Sequence, residues 1–176
     1  LLRAAGVLHT QCPELDVWED SAEKALKETA ACLEEKGFEV AVDYTATPRP
    51  LSLVRMLLEH GFHVVSLYAD SFLAEEKEDF LWLQQNAPDI RLFATVHPKM
   101  GRFTRLQAAV PGKNLLAIGQ KAAYFTGTRH FVNLLEGGGL WGFGGILRLT
   151  EEIREAVQRE KDTEAIVQVK GWGCCG

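Results

Sequence analysis

The sequence predicts an α/β fold, a Rossmann-like doubly wound parallel sheet with flanking helices in three layers. Short apolar runs typical of buried strands alternate with amphipathic segments of helical length. Connections of that length between consecutive strands require parallel pairing with right-handed crossovers. In such a sheet, ligands bind outside the carboxyl ends of the strands, where the winding direction reverses.

Residues 1–36 are predicted to be an N-terminal helical segment. One apolar stripe marks a helix over 18–36, begun by Asp16 or Asp20 and ended by Gly37. On this pattern Cys32 is a small core residue. The stripe consists of Trp18, Ala22, Ala25, Leu26, Thr29, Cys32 and Leu33.

Residues 37–160 are predicted to form the Rossmann-like domain, which opens with strand, helix, strand, helix, strand. The continuous apolar runs at 38–44, 62–68 and 90–96 predict the strands. The first helix spans 51–60 and ends at Gly61, and the second spans 71–86 with Asp70 or Ser71 as its cap.

The second half of the domain repeats this rhythm with weaker signals. A short helix is predicted at 102–109, a strand at 114–119, a helix from Gln120 and a strand at 130–135. The last helix is ended by residues 161–163, and the tail at 161–176 holds at most one strand before it frays. Its core-facing positions are Ile146, Leu149, Ile153, Ala156 and Val157.

Composition narrows the class of protein. The chain has 176 residues and a net charge of −5, with basic residues scattered among acidic ones, so we expect one globular domain and no nucleic-acid partner. No apolar run approaches the ~18 residues of a membrane span. The four cysteines lack metal-site spacing and no signal peptide precedes them, which favours the cytoplasm. The sequence begins at Leu1, so we interpret it as a fragment or an incomplete chain.

Two loops should meet where the winding reverses, at 45–50 and at 119–121. Both begin helices whose N–H groups favour anions. We therefore assign Thr47, Arg49, Gly119 and Lys121 to a cofactor-binding site, with a solvated loop arginine as the alternative for Arg49. The segment "DYTATPRPLS" has no glycine, which argues against NAD or FAD in the usual pose, and a Walker pattern is also missing.

We assign no metal ligand among the histidines and cysteines. The five histidines, at 9, 60, 63, 97 and 130, include no pair with the spacing of a metal site on one helix. His97 follows the third strand at the ligand-bearing edge of the sheet and is a weak candidate for a ligand-binding residue. Cys174 and Cys175 favour a disordered terminus, with a reactive or metal-capturing tail as the alternative.

Two long stretches resemble one family. The segment "AIGQKAAYFTGTRHFVNLLEGGGLWGFGGILRLTEEI" and the upstream "FEVAVDYTATPRPLSLVRMLLEHGFHVVSLYAD" resemble the last domain of nitrogenase component 1 proteins. That family includes molybdenum-iron protein subunits, their cofactor-assembly scaffolds and dark-operative protochlorophyllide reductase subunits. The matching positions are Gly119, Lys121, Gly127, glycines 137–139 and the run Gly142-Phe143-Gly144-Gly145. The resemblance spans nearly the whole chain, but about the final third of a family member.

The resemblance implies roles for two positions. Arg49-Pro50 matches an Arg-Pro pair that faces the iron-molybdenum cofactor in the catalytic subunit. Trp141 stands where that subunit has a metal-ligating histidine, and an indole nitrogen has no lone pair to give a metal. Trp141 is therefore expected to fill or cover the site, with any ligand held by charge and shape.

The function implied by this resemblance is a subunit or domain of a nitrogenase-like oxidoreductase. It would form part of the wall of a metal-cluster or reducible-substrate site, fed by a separate reductase iron protein. An iron-sulfur or related metal cluster is the implied cofactor, and a homo- or hetero-oligomer with a related subunit the implied assembly. The alternatives are a non-catalytic scaffold for cluster assembly and a subunit-pairing domain without its own chemistry.

Overall fold

The computed structural model of the chain describes residues 13–99, 114–133 and 142–163. Within these ranges the chain forms five strands, five α-helices and one 3₁₀ turn at Ala74–Glu76. The strands are β1 (Phe38–Asp43), β2 (Val64–Ala69), β3 (Arg91–Ala94), β4 (Asn114–Ile118) and β5 (His130–Val132). The helices are α1 (Pro13–Glu35), α2 (Pro50–Glu59), α3 (Lys77–Asn86), α4 (Gln120–Thr126) and α5 (Gly142–Gln158).

The sheet is parallel throughout, with the strand order β3-β2-β1-β4-β5. β1 lies at the centre, and its Val42 is in register with Leu67 of β2 and Ile118 of β4. The chain winds outward from β1 to β3 and then returns to place β4 on the other side of β1. The predicted fold class is confirmed, and the winding reverses between β1 and β4.

The larger core lies on the face covered by α1, α2, α3 and α5. Apolar strand residues there pack against the apolar stripe of each helix. Removing this surface from water stabilises the fold by about 25 cal/mol per Å² of buried apolar area. The predicted stripe of α5 is confirmed, since Leu149, Ile153 and Ala156 have no exposed surface. Members of this core include Leu26, Leu57, Leu67, Leu116, Ile118 and Ile153.

The opposite face carries a second, smaller core against α4. Tyr68 of β2 is fully buried there between two phenylalanine rings. Its ring centroid lies 4.8 Å from that of Phe93 and 5.4 Å from that of Phe125, at interplanar angles of 11° and 12°. Stacking of this kind adds to the stabilisation that comes from burial alone.

The first helix differs from its prediction. It begins at Pro13, five residues earlier than expected, so Asp16 and Asp20 lie inside the helix and neither begins it. Among the described residues the first buried side chain is Ala22, and Trp18, which the predicted stripe included, is 55% exposed. The apolar stripe thus begins before the part of α1 that packs against the core. Cys32, near the other end of the helix, is only half-buried.

The segment after β2 also differs. A single helix was predicted over 71–86, but the chain stays extended to Leu73, makes the 3₁₀ turn and enters α3 at Lys77. Asp70 does not cap a helix, because its carboxylate is bound by Lys121. The predicted helix at 102–109, Trp141, the residues from 134 to 135, the tail from 164 onward and the paired cysteines lie outside the described residues. No helix that the structure describes is long and apolar enough to cross a membrane.

Candidate functional site

The loops after β1 and β4 meet at the carboxyl edge of the sheet. Thr45, two residues beyond β1, accepts the N–H of Gln120 at its hydroxyl oxygen, at 2.9 Å. Asp43, the last residue of β1, accepts the N–H of Ala122 at 2.5 Å. Two hydrogen bonds therefore close the crevice between the two halves of the sheet.

Asp43 is the buried centre of this junction. Its carboxylate also accepts the backbone N–H of Thr45 at 2.5 Å and the hydroxyl of the same residue. Burial raises the pKa of Asp43 from 3.8 to about 6, because removing the carboxylate from water outweighs these donors and the charge of Lys121.

Gly119 is required by the same junction. Its φ of 110° is one that side chains rarely adopt, and a Cβ at this position would overlap the carboxylate of Asp43. The glycine predicted to line a cofactor site thus has a structural reason within the chain. It allows α4 to begin directly against Asp43.

Lys121 lies in a buried ion pair next to this junction. Its side chain is 2% exposed, and Nζ donates to both carboxylate oxygens of Asp70 at 2.9 Å and to the Thr95 hydroxyl at 3.3 Å. The ammonium also lies 4.2 Å from the ring centroid of Tyr44. Burial raises the pKa of the Tyr44 hydroxyl, opposed chiefly by its hydrogen bond with Lys121. We call Asp43, Tyr44, Thr45, Asp70, Thr95 and Lys121 the carboxyl-edge cluster.

The helix N-termini that were expected to receive an anion are occupied by the protein's own groups. In α4 the N–H groups of Gln120 and Ala122 are bound by Thr45 and Asp43. In α2 the N–H groups of Leu51 and Ser52 donate to Oε1 of Glu76, at 2.8 and 3.3 Å. Buried carboxylates thus stand where a bound phosphate would lie.

An open groove lies beside this cluster, between the start of α2 and the start of α5. Its volume is about 340 Å³. Arg49 is exposed, and within the described ranges its guanidinium forms no hydrogen bond or ion pair. We call this feature the Arg49 groove; its lining residues are Thr47, Arg49, Ser52, Leu53, Met56, Gly142, Phe143, Ile146 and Leu149.

The predicted site residues therefore separate into two neighbouring places. Thr47 and Arg49 line the groove, whereas Gly119 and Lys121 belong to the carboxyl-edge cluster. Trp141 precedes the first described residue of α5. A role for any of the five in ligand binding stays a prediction.

Sequence reasoning missed Asp43, Asp70, Thr95 and Glu76. Three of them carried a usable signal, because a polar residue at the end of an apolar strand lies at the ligand-bearing edge of a parallel sheet. Asp43 ends β1, Asp70 follows β2 and Thr95 follows β3. Glu76 had no local signal, since it binds backbone groups 24 and 25 positions earlier.

The histidines that the structure describes have ordinary local roles. Nδ1 of His60 lies 2.7 Å from the carbonyl oxygen of Met56, at the end of α2. His97 is exposed, and its Nδ1 accepts the N–H of Lys99 at 3.2 Å. In the described part of the chain, no three histidine, cysteine or carboxylate side chains are grouped as metal ligands.

Comparisons of the chain with protein-family models, with curated proteins and with solved structures found no match.

Proposed function

We propose that this chain is a domain of a nitrogenase-like oxidoreductase, in which the Arg49 groove forms part of the wall of a site for a reducible, negatively charged ligand. A separate reductase supplies the electrons. The residue pattern around Arg49-Pro50 and Gly142-Phe143 supports this proposal, and so does the parallel sheet whose carboxyl edge carries the groove.

The observation that carries the proposal is the exposed guanidinium of Arg49. Pro50 is the first residue of α2, so the arginine is held at the N-cap of a helix whose first turn is buried. The backbone of Arg49 is therefore fixed, and its exposed guanidinium is available to pair with negative charge on a bound ligand. Arg49 therefore binds and orients an anionic group while electrons arrive.

The groove fits an anion that is held by charge, but it does not fit a cluster ligated through its described walls. Metal-sulfur clusters are bound by cysteine thiolates or imidazoles. The described lining offers hydroxyls, one guanidinium and the Met56 thioether, with no thiolate, imidazole or carboxylate among them. We therefore derive no step through a cluster at this groove.

A binding experiment tests the assignment of Arg49. Tetrathiomolybdate, a small metal-sulfur dianion, would be titrated into the purified chain under anaerobic conditions and followed by equilibrium dialysis. We expect Arg49→Gln to weaken binding about tenfold or more, because a charged hydrogen-bond donor is lost.

The control is Arg129→Gln, which removes the same charge just before β5, at the opposite edge of the sheet. Arg129 is exposed and pairs with Glu160 at 2.9 Å. If the two variants bound tetrathiomolybdate equally, the positive charge of the groove would have no specific role and the proposal would fail.

A second candidate function is a subunit-pairing domain, and one observation favours it. β3 lies at the edge of the described sheet, and Leu92 is 47% exposed there and lines one surface pocket with Phe80 of α3. An apolar sheet edge is a common place for another chain to dock. Sedimentation of the wild type and Leu92→Lys tests it: equal, concentration-independent monomers would exclude this candidate.

A further inference from the structure

The walls of the Arg49 groove are chemically one-sided. Its only charged lining residue in the described part of the chain is Arg49. Most of the remaining lining is apolar and includes Met56 of α2 with Phe143 and Ile146 of α5. A ligand that fills the groove therefore meets one cation and a predominantly hydrocarbon surface.

Polar groups place the charged end of that ligand near Arg49. Thr47 accepts the backbone N–H of Arg49 at 3.3 Å, and its hydroxyl donates to no acceptor that the structure describes. That hydroxyl can donate to an anion already bound to the guanidinium. A carboxylate matches the planar fork of an arginine, which favours a carboxylate over a spherical ion.

The other hydroxyl in the lining, that of Ser52, is already used within the chain. Ser52 donates to a carboxylate oxygen of Asp79 at 2.5 Å, and the second oxygen of Asp79 accepts from Arg55 at 3.1 Å. The Ser52 hydroxyl is therefore not available to donate to a ligand. Arg49 and Thr47 are the donor side chains of the described lining that remain for the ligand's charge.

A small, multiply charged anion satisfies only the charged part of this lining. It pairs with Arg49 but has no apolar body to bury against the methionine and phenylalanine side chains, so it binds less tightly than a monoanion that has one. A single anionic group joined to an apolar body satisfies both sides of the groove, since its body gains from burial and its head is paired.

We propose that the Arg49 groove binds a monoanionic ligand with a compact apolar body, of the aromatic carboxylate class. The carboxylate binds Arg49 and Thr47, and the body lies against Met56, Phe143 and Ile146. This inference rests on the proposed function for its choice of site, and it names the chemical class of the ligand that the site takes.

Calorimetric titration with three probes tests the two halves of the ligand. 1-Naphthoate has the head and the body, acetate has the head alone, and 1-naphthalenemethanol has the body alone. We expect measurable binding for 1-naphthoate, at least tenfold tighter than for either partial probe. Binding of acetate as tight as that of 1-naphthoate would overturn the proposal.

Variants of the lining residues test where each half of the ligand binds. Arg49→Gln should weaken 1-naphthoate binding about tenfold or more, and Phe143→Ala about fivefold. Phe143→Leu should restore most of the affinity because it restores an apolar wall, and Arg129→Gln should leave the affinity unchanged. Binding of 1-naphthoate that none of the groove variants weakened would place it elsewhere and refute the inference.

The two proposals can fail separately. Tetrathiomolybdate binding that depends on Arg49, without 1-naphthoate binding, would support the proposed function and refute this inference. Binding of 1-naphthoate that depends on Arg49 and Phe143, without tetrathiomolybdate binding, would support this inference and contradict the anion binding expected from the proposed function. Absence of both would refute both.

Discussion

At the level of single residues, Asp43 connects the two halves of the sheet. Its carboxylate accepts from Thr45 on one side of the crevice and from Ala122 on the other. The group lies where a ligand phosphate would contact the N-terminus of α4. The chain thus supplies an internal anion at the position where related architectures bind an external one.

This environment predicts how stability depends on pH. The pKa of Asp43 is about 6 in the folded protein, above its ordinary value of 3.8, so the native state binds the proton more tightly than the unfolded chain does. The resulting stabilisation is fully present below about pH 4 and is lost as pH rises through 6. The gap between the two pKa values corresponds to about 3 kcal/mol.

Urea unfolding of the wild type and Asp43→Asn between pH 4 and 7 measures this contribution. The free energy of unfolding of the wild type, minus that of the variant, should rise by about 2 kcal/mol from pH 7 to pH 4. A difference that stays constant over this range would refute the prediction. A carboxyl-carbon NMR titration of the wild type provides the pKa directly if the variant does not fold.

Gly119 should be intolerant of any side chain. Gly119→Ala combines a left-handed backbone with overlap against Asp43, and we expect it to lower the free energy of unfolding by more than about 2 kcal/mol. The matched control is Gly144→Ala within α5, where a Cβ meets nothing within 4 Å. It should stabilise by about 0.5–1 kcal/mol. Equal effects in thermal unfolding would contradict this explanation.

At the level of elements, α2 depends on a residue from another segment. Glu76 is 1% exposed in the 3₁₀ turn, and its carboxylate accepts from Leu51, Ser52 and Leu73. This contact fixes the first turn of α2 and, through it, the position of Arg49. The turn that interrupts the helix predicted over 71–86 therefore has a structural purpose.

Glu76→Ala should destabilise the fold by about 3 kcal/mol, since it leaves buried backbone N–H groups without an acceptor. Glu75→Ala, one residue earlier and exposed, is the control and should change stability by no more than about 0.5 kcal/mol. Chemical denaturation compares the two. Similar losses in both variants would mean that Glu76 does not cap α2.

Periodicity was sufficient to predict most elements in order. Continuous apolar runs identified β1, β2 and β4, and the 3.6-residue stripe identified α5, because each pattern reflects burial along one element. The boundaries near Asp70 and Glu76 could not be predicted. Both carboxylates bind partners that are distant in the sequence, and local patterns contain no information about such contacts.

At the level of the whole molecule, α1 shares one core with the sheet. Leu26, Ala30 and Leu33 are buried in the same cluster as the central strands. Arg154 of α5 donates to the Thr29 hydroxyl at 2.9 Å and to the Ala25 carbonyl at 3.3 Å. These contacts predict that α1 and the sheet unfold together.

Leu26→Ala tests this cooperativity. We expect a loss of about 2–5 kcal/mol, because the substitution leaves a cavity in a packed core. Amide hydrogen exchange in β1 and β4 should accelerate by the factor that this loss of stability predicts, because the strands and α1 unfold in a single transition. Lys27→Ala, at an exposed position paired with Glu23, is the control and should have little effect. Unchanged exchange in the central strands would show that α1 folds as a separate unit.

The location of the candidate site could be predicted from topology, whereas its internal arrangement could not. Winding in a parallel sheet placed the loops at 45–50 and 119–121 at one edge, and they meet there. Lys121 and Arg49 separate because Lys121 pairs with Asp70 in the interior, whereas Arg49 is exposed. The identity of that carboxylate partner could not be inferred from local patterns.

The ring stack of Phe93, Tyr68 and Phe125 gives the smaller core an optical signature of its own. Three aromatic chromophores held nearly parallel in an asymmetric environment generate a near-ultraviolet circular dichroism signal that vanishes once fixed side-chain packing is lost, even if secondary structure persists. On the other face, the indole of Trp82 lies under the guanidinium of Arg55 and reports by fluorescence. Because the chain has four tryptophans, following the larger core by fluorescence requires a variant in which Trp82 is the single tryptophan.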